Sequence, residues 1–213
     1  MKFRLTYEGE LLSKQKGGGA NHKHKIRRQM HKSLKELWAT HAYLSQATVP
    51  VNEAEEKKLA RTPTSKSYYS KPASSGYALM KDALALRHQM AGFSFVPLVR
   101  ESLSLSCSLD ILLLAPPPRY SIYHSGDIDN RLKTFIDALR MPSQKSELAG
   151  AKPTNFEKPF YCLLEDDKLL DRLTLEADTL YHSSKKTDSN WVNLVVAVEI
   201  RPKLVTMSNL SFA

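Results

Sequence analysis

The chain has 213 residues, of which 42% are hydrophobic and 25% charged, a composition typical of one globular domain with a sizeable core. Its formal net charge of +9 favours a polyanionic partner, with nucleic acid ahead of an anionic membrane surface. The sequence shows no long apolar run and no signal-peptide pattern, so we expect a cytoplasmic protein that does not enter the membrane.

The N-terminal part predicts a strand followed by a basic helix. Residues 2–7 alternate between apolar and polar, as in a half-buried strand. Three glycines at 17–19 then interrupt the chain and are expected to be flexible, and apolar residues recur at helical spacing over residues 22–45. The other faces of this helix carry His22, Lys23, His24, Lys25, Arg27, Arg28, His31 and Lys32. Two interpretations stay open: a solvated amphipathic face, or a surface whose lysines and arginines contact DNA phosphates.

The middle of the chain predicts a polar insertion and then strands. Residues 49–76 are rich in Pro, Ser, Thr and Lys and predict a long surface excursion with a short helix over residues 53–60. A helix over 78–90 and a strand over 93–99 follow. In the next strand, over 102–114, alternating serines give way to an apolar run, which predicts a passage from an exposed face into the core.

The C-terminal part predicts a helix over 127–140, a polar loop over 143–159, a short apolar run over 160–164 and two last strands. These strands, over 172–181 and 191–200, are expected to form a hairpin whose turn lies at residues 185–190. Cys107 and Cys162 lie in apolar runs and are expected to be buried thiols in a reducing compartment.

This order of elements predicts an α+β fold: a mostly antiparallel sheet with helices packed on one face. We expect a single domain over 1–213, with its core motif region at about 102–202, the polar insertion at 49–76 and a tail at 203–213.

One segment, residues 126–139, carries the clearest chemical signal. Asp127 and Asp129 place two carboxylates at one helix start, and Asp129, Lys133 and Asp137 form a charged stripe beside an apolar one. A structural interpretation is that Asp127 caps the helix and Lys133 pairs with both neighbouring aspartates. The alternative is a Mg²⁺ site, because crowded carboxylates are relieved by a cation and a second acidic cluster at 165–167 is expected beside the helix N-terminus.

These residues resemble the RusA family of Holliday-junction resolvases. The matching residues are Asp127-Ile128-Asp129-Asn130, then Lys133, then Asp137-Ala138-Leu139, and later Asp166-Asp167. The resemblance implies Mg²⁺, or Mn²⁺ as the alternative ion, held by Asp127, Asp129 and Asp167, with Lys133 as the catalytic lysine and Asn130, Asp137 and Asp166 in support. It also implies a RusA-like α+β fold lengthened by N-terminal and loop insertions, a homodimer, and paired cuts in a four-way DNA junction.

Three functions follow from the sequence. The first is a junction-resolving endonuclease, in which the basic helix holds DNA arms by their phosphates. The second is a module of the same fold that binds DNA or protein without cutting. The third is a nuclease of the same chemistry that acts on flaps, forks or single strands.

Overall fold

The computed structural model describes residues 1–61, 76–116, 128–181 and 190–213. Its helices are α1 (Ala20–Thr40), α2 (Ala42–Gln46), α3 (Glu53–Arg61), α4 (Met80–Arg87) and α5 (Ile128–Leu139). Its strands are β1 (Lys2–Glu10), β2 (Thr48–Pro50), β3 (Tyr77–Leu79), β4 (Gln89–Met90), β5 (Phe93–Val99), β6 (Leu105–Ala115), β7 (Phe160–Leu164), β8 (Leu170–Thr179) and β9 (Trp191–Pro202). In these described ranges, no helix is long and apolar enough to span a lipid bilayer.

The central sheet has the strand order β1-β9-β6-β8. Strand β9 runs antiparallel to β1 and β6, whereas β8 runs parallel to β6, so the sheet is mixed. Alternate residues of β9 are buried, because one face of the sheet joins the main core together with residues of α1 and α5. The ring of Tyr7 on β1, for example, lies 5.8 Å from that of Phe135 on α5. The α+β class predicted from the sequence is confirmed.

The predicted hairpin between the last two strands is wrong. Strands β8 and β9 are not neighbours, since each pairs with a different edge of β6. The alternation of Leu173 and Leu175 fixes which face of β8 is turned inward, and it does not fix the partner strand. Most of the predicted turn lies outside the described residues.

Strand β6 also differs from its prediction. Ser106 and Ser108, which were expected on an exposed face, are buried, and Leu112 and Leu114 on the same side are only half-buried. Ser108 can be buried because its hydroxyl has a polar partner: it donates to an Asp171 carboxylate oxygen at 2.8 Å. The strand therefore leads towards a more open surface along its length, the reverse of what its sequence indicates.

The predicted first helix is divided at His41 into α1 and α2, and its histidines are not part of a basic surface. His24 and His31 are buried against the aromatic side chains of β5 and β7, and the His31 ring stacks on Phe160 with centroids 4.4 Å apart. The Tyr161 backbone N–H donates to Nδ1 of His31 at 2.9 Å, which requires this nitrogen to be unprotonated. His24 and His31 lie on the side of α1 that packs against β5 and β7, where their rings stack on phenylalanine rings.

Acidification is expected to destabilise the fold through His24. Burial first, and then the charges of Arg27 and Arg28, lower the pKa of His24 from 6.5 to about 4, against a smaller opposing effect of Glu157. Between about pH 6.5 and pH 4, His24 is protonated in the unfolded chain but neutral in the folded chain. The free energy of unfolding is therefore unaffected by His24 above about pH 6.5 and decreases as the pH falls towards 4. In urea unfolding, replacing His24 by Phe should reduce the loss of stability between about pH 7 and pH 4.5 by about 2 kcal/mol. An unchanged pH dependence in this variant would contradict the assignment.

Part of the polar insertion is built into the core through a buried ion triad. The carboxylate of Glu56 on α3 pairs with Arg87 at 2.5 Å and with Arg100 at 3.0 Å. Arg87 also donates to the Val51 carbonyl at 3.0 Å. The short helix predicted at 53–60 is confirmed as α3, and the part of the insertion at residues 62–75 lies outside the described residues.

The predicted polar loop at 143–159 is folded against α1. Arg28 pairs with Glu157 at 2.7 Å, and the Lys35 ammonium donates to the Phe156 carbonyl at 2.8 Å. Thr154 and Glu157 form a capping box around a single 3-10 turn. Leu148 is buried with the aromatic residues of β5 and β7, so this connection forms part of a second, smaller core.

Both cysteines are buried and unpaired, as predicted. Burial raises the pKa of Cys107 and of Cys162 to about 12, so each thiol stays protonated at neutral pH. Neither is placed for thiolate chemistry.

Candidate acidic groove along helix α5

Helix α5 positions most of the predicted site, and its packing follows from its sequence. Phe135 and Leu139 are buried as expected, together with the neighbouring Arg131 and Thr134. The Arg131 guanidinium donates to the Leu11 carbonyl and to the Asn190 side chain, each at 2.9 Å, which fixes the helix against the ends of β1 and β9. The charged stripe that includes Lys133 consequently faces outward.

An open groove of about 520 Å³ runs along the outward side of α5. One wall belongs to the helix and the other to the segment that leads from the acidic cluster into β8. The residues that line it are Asp129, Leu132, Lys133, Ile136, Asp137, Asp167, Lys168, Leu170 and Leu173. The structure thus brings four predicted site residues, from two segments distant in sequence, to one surface. We refer to it as the acidic groove.

The acids of the groove differ in their partners. Asp137 is bound to Lys23 of α1 at 2.6 Å, and both side chains are mostly buried, at 15% and 17% exposure. The structural interpretation, in which Lys133 pairs with Asp137, is therefore wrong in this detail, because a lysine of another helix occupies the carboxylate. Asp129, Asn130 and Lys133 are exposed. Their side chains are accessible to a ligand in the groove.

Strand β7, which ends just before the acidic cluster at 165–167, meets the chain at the C-terminal end of α5, and Asp167 lines the same groove as Asp129. The Met141 N–H donates to the Leu164 carbonyl at 2.8 Å, and the Glu165 N–H donates to the Val99 carbonyl at 3.0 Å. Asp129 is in the first turn of the helix. At 1.5 Å per residue, it is roughly 12 Å along the axis from Asp137. The groove is therefore elongated, with acids distributed along it.

Within this cluster, Asp166 and Asp167 crowd two carboxyl groups together. Asp166 accepts the Lys168 N–H at 3.0 Å and so caps a 3-10 turn. This backbone bond is the largest of the effects that lower the pKa of Asp166, and a hydrogen bond with the Asp167 carboxyl acts in the same direction. Adjacent carboxyl groups of this kind favour a cation, whose charge removes their repulsion.

The fit of the groove to Mg²⁺ depends on three predicted ligands. Asp129 and Asp167 both line it, and their carboxylate oxygens are the donors that Mg²⁺ prefers. Asp127 lies outside the described residues. In the part of the chain that the structure describes, no three His, Cys, Asp or Glu side chains are grouped closely enough to hold a metal ion. Carboxylates are suitable donors for Mg²⁺, but within the described residues Asp129 and Asp167 form no metal-binding group, so a site would also need Asp127.

The predicted DNA-contacting residues of α1 have different positions. Arg27 is only 1% exposed and donates to the carbonyls of Asp137 and Arg140, both at 3.2 Å, so its assignment to a DNA-contacting surface was wrong. Its guanidinium instead joins α1 to α5. Lys23 and Arg28 are held in ion pairs. Lys25 and Lys32 are exposed and remain candidates for phosphate contacts.

Five groove residues were not predicted as site residues: Leu132, Ile136, Lys168, Leu170 and Leu173. Leu132 and Ile136 were expected in the apolar stripe that docks the helix on the core, but they are only half-buried and line the groove. Lys168 follows the Asp-Asp pair directly, so its position next to the acids was the available signal. Its ammonium group pairs with Glu101 at 2.8 Å on an exposed surface. Leu170 and Leu173 resemble ordinary core residues of a strand, and nothing in their spacing indicates a groove.

Comparisons with known proteins give no relative for this chain. No family model, no curated protein and no solved structure matches it.

Proposed function

We propose that this protein is a Mg²⁺-dependent endonuclease that cuts branched DNA, with the four-way junction as its main substrate. The observation that carries the proposal is the acidic groove, where Asp129, Lys133 and Asp167 line one open surface although they come from separate segments. These two carboxylates and the lysine belong to the sequence motif that resembles the RusA family. An outward-facing groove also suits a substrate as large as a DNA helix.

The residues of the groove have distinct roles in this proposal. Asp129 and Asp167, with Asp127, would hold Mg²⁺, which supplies an activated water and stabilises charge on the phosphate. Lys133 is exposed on the same face of α5, where its ammonium would stabilise negative charge that develops on a phosphate oxygen. Asn130 and Asp166 would support the ligands from the neighbouring positions. Asp137, neutralised by Lys23, would maintain the helix pair.

The charge of the protein supports DNA as the partner. A net charge of +9 attracts a polyanion, and Lys25 and Lys32 are exposed on α1. Symmetric cuts across a junction require two active sites, so the functional unit in this proposal is a homodimer. Binding to phosphates should weaken steeply as salt concentration rises.

The test is cleavage of labelled synthetic DNA with and without Mg²⁺. A four-way junction, a flap, a fork and a linear duplex of equal length should be compared. We expect paired nicks near the crossover of the junction, at least about tenfold faster than cuts in the duplex, and no product in EDTA. Preferential cutting of the flap would keep the chemistry and change the substrate. Metal-independent cutting, or no cutting with Mg²⁺ or Mn²⁺, would contradict the proposal.

One observation favours a second candidate, a module that binds branched DNA without cutting it. In the described ranges the acids of the groove do not converge on one metal-binding cluster. This candidate predicts tight junction binding and no heat of Mg²⁺ binding in calorimetry. The endonuclease predicts Mg²⁺ binding that is lost when Asp129 is replaced by Asn.

A further inference from the structure

Phe156 is an exposed aromatic residue in the connection between α5 and β7. It is 54% exposed, although the ammonium group of Lys35 lies 3.7 Å from the centre of its ring. A single exposed apolar side chain is common on protein surfaces and indicates no function by itself. Two further observations distinguish Phe156: the turn that carries it is firmly held, and the surface around it is basic.

The 3-10 turn that carries Phe156 is held from both sides. Thr154 and Glu157 form the capping box around it, and Glu157 pairs with Arg28 of α1 at 2.7 Å. The Phe156 carbonyl accepts a hydrogen bond from the Lys35 ammonium at 2.8 Å. The backbone under the ring is therefore fixed to α1 before any ligand binds, which reduces the entropy that a ligand would have to offset.

Lysines from two segments surround the turn. Arg28, Lys32 and Lys35 are spaced i, i+4 and i+7, so they lie on one face of α1. Arg28 also donates to the Lys152 carbonyl at 3.4 Å, which brings the connection onto that face. The lysines of this surface are Lys32 and Lys35 on α1 and Lys152 and Lys158 on the connection; all but Lys35 are fully exposed. We refer to Phe156 and these four lysines as the basic platform.

The acids next to these lysines in sequence do not offset their charge. Glu157 is neutralised by Arg28, and the exposed Glu36 is about 100° further around α1 than Lys35. A cleft of about 850 Å³ on the same connection is lined by Lys145 and Lys158, and none of its described lining residues is acidic. The charges of this surface therefore select a polyanion.

Single-stranded nucleic acid fits both the ring and the charges. An unpaired base has a flat face that stacks on an aromatic ring, and the phosphates on either side of it would contact lysines. In a duplex the bases are stacked on each other and are not available to Phe156. An anionic membrane would match the lysines, but Thr154 and Asn155 beside the ring are exposed and polar, so only one apolar side chain would enter the lipid.

We propose that the basic platform binds single-stranded DNA, with an unpaired base stacked on Phe156 and the neighbouring phosphates contacted by the lysines. The choice of DNA over RNA rests on the proposed nuclease function, because both share this chemistry. At 1.5 Å per residue, Lys35 is roughly 18 Å along α1 from Lys23, which holds Asp137 of the acidic groove. The platform would therefore hold an unpaired arm or end of the branched DNA that the groove cuts.

The first experiment measures binding of a dye-labelled oligothymidylate of about 15 nucleotides to the full-length protein in EDTA, by fluorescence anisotropy. Phe156→Leu keeps an apolar side chain and removes the ring, so the affinity should fall at least about fivefold, whereas Phe156→Trp should retain it. Tyr77→Leu is the matched control, because Tyr77 is an aromatic residue of nearly equal exposure, 53%, outside the platform. Equal affinities of the wild type and Phe156→Leu, or an equal loss in Phe156→Trp, would overturn the proposal.

Stacking itself is measured with 2-aminopurine at the centre of the same oligonucleotide. Its fluorescence should decrease when the wild-type protein binds, because the base stacks on the ring. At saturating Phe156→Leu protein, this decrease should be absent. An equal decrease with both proteins would show that the base does not stack on Phe156.

The second experiment identifies the partner by salt dependence and by competition. Lys152→Gln should reduce the slope of log affinity against log salt concentration by about 0.7, the value for one phosphate contact on a single strand, and Lys203→Gln, at an exposed lysine outside the platform, should leave it unchanged. An unchanged slope in Lys152→Gln would contradict the phosphate contact. Tighter binding of an oligouridylate, or Phe156-dependent binding to vesicles of phosphatidylcholine and phosphatidylserine, would overturn the assignment to DNA.

These measurements separate the two proposals, because none of them requires cleavage. A protein that binds the oligonucleotide through Phe156 and cuts no DNA would contradict the nuclease alone. A protein that cuts the four-way junction and binds the oligonucleotide equally well with and without the Phe156 ring would contradict the platform alone.

Discussion

Replacing Asp129 or Asp167 by Asn should reduce Mg²⁺-dependent junction cleavage by about a thousandfold, with junction binding in EDTA unchanged within about twofold. Both side chains line the acidic groove, and asparagine keeps their volume while it removes the charge that would hold the proposed ion. Initial rates with saturating enzyme, together with anisotropy binding curves, measure the two quantities separately. Mg²⁺ affinity should fall in parallel in calorimetry.

Asp137→Asn is the matched control within the same groove. Its carboxylate is already bound to Lys23 at 2.6 Å, so we expect less than about a tenfold loss of cleavage and a modest loss of stability. The opposite pattern, in which Asp137→Asn abolishes cleavage and Asp129→Asn does not, would move the metal to the C-terminal end of α5. Full activity of both the Asp129 and Asp167 variants would exclude these residues as metal ligands.

The second large effect is expected on stability, at Glu56. Replacing Glu56 by Gln removes the only acidic partner seen for the buried guanidinium of Arg100 in the described residues, and it also leaves Arg87 without its carboxylate. Breaking a buried ion pair from one side costs about 3–5 kcal/mol, because an uncompensated charge remains in the core. Urea unfolding of the variant should show this loss directly.

Two further variants complete the Glu56 experiment. Glu36→Gln, on the exposed side of α1, should change stability by less than about 0.5 kcal/mol. Combining Glu56→Gln with Arg100→Met removes one buried charge of each sign and should recover part of the loss. A Glu56 variant as stable as the Glu36 variant would show that the ion pairs of Glu56 contribute nothing to stability.

The sequence predicted where helices and strands occur better than it predicted which strands pair with each other. Strand β1, helix α5 and the apolar strand β9 have periodic patterns that depend on burial alone, and these were confirmed. Which strand lies beside β8 depends on contacts between distant segments, and alternating leucines are compatible with several partners. The same limit applies to the position of the acidic cluster. Strand β7, which precedes the cluster, is joined to the end of α5 by a backbone hydrogen bond between Met141 and Leu164, and side-chain spacing does not predict such a bond.

For the site, sequence spacing predicted which residues of α5 share a face and failed on their partners. Asp129 and Lys133 face outward, as the i, i+4 spacing requires. Asp137 is on the same stripe, but Lys23 comes to it from a helix more than a hundred residues earlier in the chain. Arg27 was expected on the surface because it lies in a basic helix. It is buried instead, because its guanidinium donates hydrogen bonds to carbonyl groups at the end of α5.

The register of the central sheet has a consequence for the synthesis of the chain. Lys2 pairs with Glu199, so β1 can pair with β9 only after residue 199 has left the ribosome. Strand β6 pairs with β8 and β9, which are both synthesised later. Until they emerge, the apolar run from Ile111 to Ala115 has no partner strand in the central sheet. Sheets closed by such distant pairings form slowly, and their incomplete forms expose edges that aggregate. A ribosome-bound fragment that ends before β9 should therefore recruit chaperones, and a fragment extended beyond β9 should not.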